Sequence, residues 1–92
     1  MVTDEQLAKA AQGGSSTAFD ELVERYQCRL LRFLLGRCRS RADAEDALQD
    51  SFMNAYRYLH SFDTDRRFST WLYRIALRNA ARQVSLPGLA IR

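Results

Sequence analysis

Arg74, Arg78 and Arg82 recur every four residues, and Trp71 falls on the same side of any helix that carries them. Guanidinium groups fork onto phosphate oxygens and base edges, and an indole offers a flat face on which an unstacked base can lie. The structural alternative is a Trp that covers the rim of a small core while the Arg residues cap it. Upstream, Asp46, Gln49, Asp50 and Met53 fall together on one side of a second helix, with Tyr56 at its edge. An acidic helix face is commonly just solvated. A methionine within it is less expected, because an exposed Met marks an adaptable contact surface. The two patterns together imply one surface suited to nucleic acid and another suited to a protein.

The charge distribution follows the same division. Residues 1–56 carry seven basic and nine acidic side chains, whereas residues 57–92 carry seven Arg against Asp63 and Asp65 alone. The formal net charge of +3 therefore hides an acidic part and a strongly basic part. Thirteen of the fourteen basic residues are Arg, with Lys9 the exception. Preference for Arg codons in a GC-rich genome accounts for the bias toward Arg but not for its segregation.

The elements that must position these residues read as helices. One Pro, four Gly and no long β-branched alternation in 92 residues point to a single all-α domain, a compact bundle of about four helices. The hydrophobic share of 47% suffices for a core. Thr3 is the expected N-cap of a short first helix that Gly13-Gly14 ends. The second helix is expected over residues 18–38, where Phe19, Leu22, Val23, Tyr26, Leu30, Phe33 and Leu34 form a buried stripe widened by Leu31 and Leu35. Arg37, Arg39 and Arg41 cluster at its end. Ser40 with Asp43 resembles a capping box for the third helix, whose expected core face is Ala44, Leu48, Phe52, Ala55 and Leu59. A polar loop, residues 60–67, follows, with Phe62 as its plug into the core. The fourth helix begins near Phe68 or Ser69, buries Leu72, Ala76 and Ala80, and is expected to end near Val84 before Ser85-Leu-Pro-Gly. The domain is thus placed at residues 1–85, with 86–92 the start of a linker.

Several chemistries are excluded. Gly13-Gly14 lacks the context of a phosphate-binding loop, and His60 is the one histidine, so neither a catalytic Ser/His/Asp set nor a zinc site is expected. The acidic residues lack the spacing of a calcium loop. No enzyme, metal or cofactor is therefore expected. Cys28 and Cys38, on one expected helix, would lie roughly 15 Å apart along its axis, too far for a disulfide, and read as buried or half-buried free thiols. No segment has the length of a membrane span, and the chain is expected to be cytoplasmic and monomeric when free.

The run Asp43-Ala-Glu-Asp-Ala-Leu-Gln-Asp-Ser-Phe-Met-Asn-Ala-Tyr-Arg-Tyr-Leu59, then Ser61-Phe62, then Phe68-Ser-Thr-Trp-Leu-Tyr-Arg-Ile-Ala76, closely resembles region 2 of the extracytoplasmic-function (ECF) sigma factors of bacterial RNA polymerase. The segment Ala18-Phe-Asp-Glu-Leu-Val-Glu-Arg-Tyr26 resembles the start of the same domain, so that the likeness covers roughly residues 5–84. The resemblance implies a module that docks on the clamp helices of the polymerase β′ subunit and captures the single-stranded non-template minus-ten element of promoter DNA. It implies Asp46, Gln49, Asp50 and Phe52 as polymerase contacts, with Met53 and Tyr56 beside them. Phe52 then has two readings, since the helical wheel puts it in the core. For DNA it implies the loop Ser61–Arg67, including Phe62, Arg66 and Arg67, as the holder of a flipped base. Trp71, Tyr73, Arg74 and Arg78 would line the site of strand separation, with Arg82 next along the Arg stripe. Many members have Asn two residues after the Ile-Ala pair; here Arg78 stands there and Asn79 follows, and either can read the upstream edge. Members normally also carry a C-terminal helix-turn-helix region that reads the minus-thirty-five element; residues 1–92 do not include it, and a fragment of a longer protein or a truncated relative is expected. An anti-sigma factor is the other implied partner, and a sigma-like decoy that sequesters one without binding DNA is the alternative function.

Overall fold

Three of the four helix starts are capped by the residue type that the sequence supplies. The computed structural model describes the backbone of residues 1–91 and the side chains of residues 1–83. In α1 (Asp4–Gln12) the Thr3 hydroxyl accepts from the Gln6 amide, and the Gln6 side chain accepts from the Thr3 amide, a complete capping box. Ser15 caps α2 (Ser16–Leu35) by accepting from Ala18, and Ser40 caps α3 (Arg41–Arg57) by accepting from Asp43. A short 3-10 helix, Leu59–Ser61, leads into the loop before α4 (Phe68–Ile91). No such residue caps α4. Its first amide, that of Phe68, instead donates to Glu5 Oε2 of α1 at 2.7 Å, so a carboxylate distant in sequence faces the positive end of the helix.

The turn from α1 to α2 requires one left-handed residue. Gly14 takes φ 109°, and Ser15 N–H and Gly14 N–H return to the carbonyls of Ala10 and Ala11, closing α1 in a Schellman turn.

All four helices contribute to one core, which includes Leu7, Leu22, Tyr26, Leu30, Leu34, Phe62, Phe68 and Leu72. The residues that α3 buries are small: Ala44, Ala47, Ser51 and Ala55. Leu48 and Phe52, expected in the core, are half-buried at its edge. The stripe is rotated from the expected one because the small residues allow α3 to approach α4 closely, and the large ones are displaced into the seam with α2.

Asn79 lies in this α3–α4 contact. Its side-chain amide is buried and donates to Ser51 Oγ at 3.2 Å and to the Ile75 carbonyl at 3.1 Å. The Ser51 hydroxyl in turn donates to the Ala47 carbonyl at 2.6 Å. Among the described residues no buried side-chain polar atom lacks a partner, which is the condition for polar groups to be tolerated in a core.

α2 ends at Leu35, earlier than expected, because Gly36 begins a turn. Cys38 therefore lies in the turn rather than on the helix, and Arg41 opens α3, where it pairs with Glu45 at 3.0 Å. Both cysteines are free; Cys28 is exposed rather than buried, and Cys38 is half-buried. Burial, and then the charge of Asp43, pushes the Cys38 thiol up from its ordinary range. α4 continues as helix beyond Val84, where Ser85-Leu-Pro-Gly was expected to stop it. A proline forfeits its own N–H bond and crowds the turn before it, which weakens or bends a helix without requiring it to end. Arg92 lies outside the described residues.

α1 is tied to α2 through Asp4, which accepts from the Tyr26 hydroxyl and from Arg25 Nη1, the latter at 2.9 Å. Burial first, and then the Asp4 carboxylate, pushes the Tyr26 phenol up to about 12 from an ordinary 10. Between those pH values the unfolded chain has lost a proton that the folded chain retains. Stability must therefore fall as pH rises from 10 to 12 and level off above that window. Urea denaturation of Tyr26→Phe across this window checks the point: the variant should lose part of the alkaline slope, and an identical slope would contradict it. Asn79→Ala should destabilise by about 1–3 kcal/mol, as expected for a buried hydrogen-bonded group. A change of less than about 0.5 kcal/mol in the same assay, within the range of ordinary surface substitutions, would contradict its placement.

Candidate functional site

Two concavities flank the α3–α4 pair, and they differ in chemistry. The first lies between α2 and α3, about 690 Å³, and is lined by Phe19, Val23, Gln27, Glu45, Leu48, Gln49, Phe52, Met53, Tyr56 and Arg57. The small buried stripe of α3 creates it, because Leu48 and Phe52 are left facing the seam instead of filling the core. Tyr56 stays 63% exposed, although its ring makes an edge contact with Phe19 at 5.1 Å. Met53 is 59% exposed. An apolar groove floored by aromatic rings, with flexible Met53 at its side, suits an amphipathic helix from another protein.

Of the residues expected to form the protein-binding face, Gln49, Phe52, Met53 and Tyr56 line this groove. Asp46 and Asp50 are exposed on α3 outside its lining. The two readings of Phe52 are thus reconciled: it packs on the core cluster from one side and lines the groove from the other. Periodicity on α3 did not bring in Phe19 and Val23. Both stand in the apolar stripe of α2, and the half-burial of Val23 places it at the stripe's edge.

The second concavity, about 530 Å³, is built from the loop and the first turns of α4. It is lined by Ser61, Phe62, Asp63, Asp65, Arg66, Arg67, Thr70, Trp71 and Arg74. The loop holds its own shape: the Asp63 carboxylate accepts from the Asp65 amide at 2.9 Å, and the Asp63 carbonyl accepts from the Arg66 amide at 2.9 Å. Phe62 is buried, and its ring lies 5.1 Å from Trp71 and 5.5 Å from Phe68. Trp71 is half-buried against both rings. It therefore both covers the core and lines the cavity. A backed aromatic face is rigid before a ligand arrives, which lowers the entropic cost of stacking.

The electrostatics favour a polyanion. Arg66 reaches Asp63 only at 3.8 Å, and among the described residues Arg67 and Arg74 have no carboxylate within ion-pair distance. Exposed guanidinium groups without internal partners are available to phosphates. Arg78 and Arg82 are exposed further along α4, outside this cavity.

Two expected DNA contacts are placed elsewhere. Asn79 is buried against Ser51, so its amide is consumed inside the bundle and Arg78 alone remains on the surface. Tyr73 turns toward α2, with its ring 4.9 Å from Phe33 and 6.4 Å from Tyr26. It stands two residues after Trp71 and one before Arg74 on α4, and this angular offset directs it to a different neighbour. Arg29 of α2 and Arg37 of the turn that follows it are also more than solvated charges. Arg29 lies over Tyr26 at 4.3 Å and Arg37 over Phe33 at 4.0 Å, cation–π contacts that flank Tyr73.

Comparison with known proteins agrees with this geometry. The sequence profile of the family Sigma-70 region 2 matches residues 22–85. The ECF RNA polymerase sigma-E factor of Haemophilus influenzae is 42% identical over 87 residues, which make up 95% of this chain and 46% of that protein. The chain thus spans about half the length of the curated relatives it matches. Among solved structures, the complex of an engineered region 2 of sigmaE with GTAAAA superposes with a TM-score of 0.86 at 42% identity, covering 94% of this chain and 90% of the other. CnrH, solved in complex with the cytosolic domain of CnrY, superposes with a TM-score of 0.82 at 35% identity, covering 87% of this chain and 52% of CnrH. With both cavities on an all-helical bundle and the matched residues spanning α2 to α4, the chain belongs to the Sigma-70 region 2 family.

Proposed function

We propose that the chain is the promoter-recognition and DNA-melting module of an ECF-type sigma factor. The observation that carries the reading is the loop cavity, where a rigid Phe62–Trp71 platform lies beside Arg67 and Arg74, on a fold shared with a region 2 bound to GTAAAA. A base flipped out of the non-template strand enters this cavity and stacks on Trp71. Arg66, Arg67 and Arg74 hold the flanking phosphates, with Arg78 and Arg82 continuing the contact along α4. Unstacking a base costs a few kcal/mol, and aromatic stacking returns about 1–3 kcal/mol per base. The remainder must come from phosphate contacts, which makes binding salt-dependent.

The α2–α3 groove, with Asp46 and Asp50 on its flank, docks the clamp helices of the polymerase β′ subunit. The apolar floor supplies burial and the acidic flank supplies orientation. Residues 1–85 are the functional unit. Capture of an anti-sigma factor in the same groove, without any DNA, is the second reading. The likeness to CnrH in its complex with CnrY favours it, but it gives no role to Arg67, Trp71 and Arg74.

Two variants separate the surfaces. Asp50→Arg should weaken binding to core polymerase by about tenfold or more while leaving oligonucleotide affinity within about twofold. Trp71→Ala should do the reverse, costing about 1–3 kcal/mol on single-stranded minus-ten DNA in a fluorescence anisotropy assay. Loss of both activities in either variant, with the fold intact by circular dichroism, would contradict the division. Absence of DNA binding by the parent chain and by its complex with polymerase would favour the second reading.

A further inference from the structure

The loop cavity contains no residue of α1, yet α1 makes hydrogen bonds at both ends of the loop that builds it. At the entrance, Gln12 Nε2 donates to the carbonyls of Leu59 at 2.9 Å and Phe62 at 2.8 Å. Two carbonyls require two N–H donors, which only the amide nitrogen of Gln12 can supply. At the exit, Glu5 Oε2 accepts from the Phe68 amide at 2.7 Å. The first contact fixes the backbone of Phe62, whose ring supports Trp71. The second fixes the start of the helix that carries Thr70, Trp71 and Arg74.

α1 is itself well anchored. Leu7 and Ala8 are buried, Asp4 holds Tyr26 and Arg25 of α2, and the Gly14 turn sets the join to α2. The residues between the two contacts, 63–67, are exposed or half-buried and depend on short turns for their shape. A ten-residue connection that must present a preformed cavity therefore takes its geometry from its two ends.

Resting on the promoter-binding reading above, we infer that α1 is a clamp that presets the base-capture loop, with Gln12 and Glu5 as positioning residues for single-stranded DNA. Neither side chain lines the cavity. Each acts on backbone groups that place the stacking platform. The substitution Gln12→Glu is the sharpest probe, because a carboxylate of the same shape sets negative charge against both carbonyls. Gln12→Ala removes the contact without this repulsion, and Glu5→Ala removes the acceptor at the exit, which Glu5→Gln would retain as its Oε1.

The test measures three quantities on each variant of the full chain. They are anisotropy with fluorescein-labelled GTAAAA, affinity for an isolated β′ clamp coiled coil, and amide hydrogen exchange. Gln12→Ala should weaken the hexanucleotide about five- to tenfold, the effect of losing a pair of modest hydrogen bonds, and Gln12→Glu should weaken it further. Coiled-coil affinity should stay within about twofold, because the groove lies on α2 and α3; a general loss of stability would lower both affinities. Exchange should accelerate at the amides of residues 62–68 and remain unchanged in α3. Normal hexanucleotide affinity with accelerated loop exchange would overturn the positioning role. Unchanged loop exchange would overturn the clamp itself, whatever the DNA result. If neither the parent chain nor its complex with polymerase binds the hexanucleotide, the promoter reading fails at this step, and the exchange data still decide whether α1 holds the loop.

Discussion

The arrangement depends on the close approach of α3 to α4, which only small side chains permit. Ala44, Ala47, Ser51 and Ala55 form the buried side of α3, and Ala76, Asn79 and Ala80 lie among the buried residues of α4. The hydrogen bond between Ser51 and Asn79 adds a directional contact to this apolar seam. A sliding or rotated α4 would break the bond between them, although Ser51 keeps its bond to Ala47 and Asn79 its bond to Ile75, and would leave one buried Asn79 N–H without an acceptor at a cost of about 1–3 kcal/mol. Both surfaces follow from this contact. It displaces Leu48 and Phe52 toward α2, where they form the groove, and it orients α4 so that Trp71 meets Phe62 while Arg74 remains exposed.

The two surfaces are physically different sites on one rigid support. The groove is apolar and aromatic with acidic residues on its flank, a composition matched to a helical protein partner. The loop cavity joins aromatic rings to Arg67 and Arg74, which have no ion-pair partner among the described residues, a composition matched to an unstacked base and its phosphates. The charge difference between the two sites is one of balance: Asp46 and Asp50 flank the groove, whereas Arg66, Arg67 and Arg74 outnumber Asp63 and Asp65 at the loop cavity. It also reduces the chance that either partner occupies the wrong face, because like charges penalise the exchange.

Much of the fold was legible because it rests on local chemistry. Thr3 and Ser40 are cap residues at helix starts, Gly13-Gly14 ends the first helix, and the apolar spacing of α2 marks its buried stripe. What was not legible rests on contacts between distant segments. The α4 cap is Glu5, far away in sequence, and no local pattern announces it. The α3 stripe was misjudged because alanines carry little hydrophobic weight, so a wheel favours Leu48 and Phe52 over Ala47 and Ser51. The choice between Arg78 and Asn79 stays open in the sequence because a polar side chain reveals its burial only through its partner on another helix. The family resemblance groups Tyr73 with Trp71, whereas an offset of two residues on a helix directs its ring toward Phe33.

The central claim is that the loop cavity receives the DNA. The most direct measurement is an NMR titration of the isotope-labelled chain with GTAAAA. The account predicts shifts of the Trp71 indole and of the amides of Ser61–Arg67, Thr70 and Arg74, with Val23, Phe52 and Met53 of the groove unmoved. Shifts centred on the groove, or spread along Arg78 and Arg82 with the Trp71 indole unmoved, would contradict it.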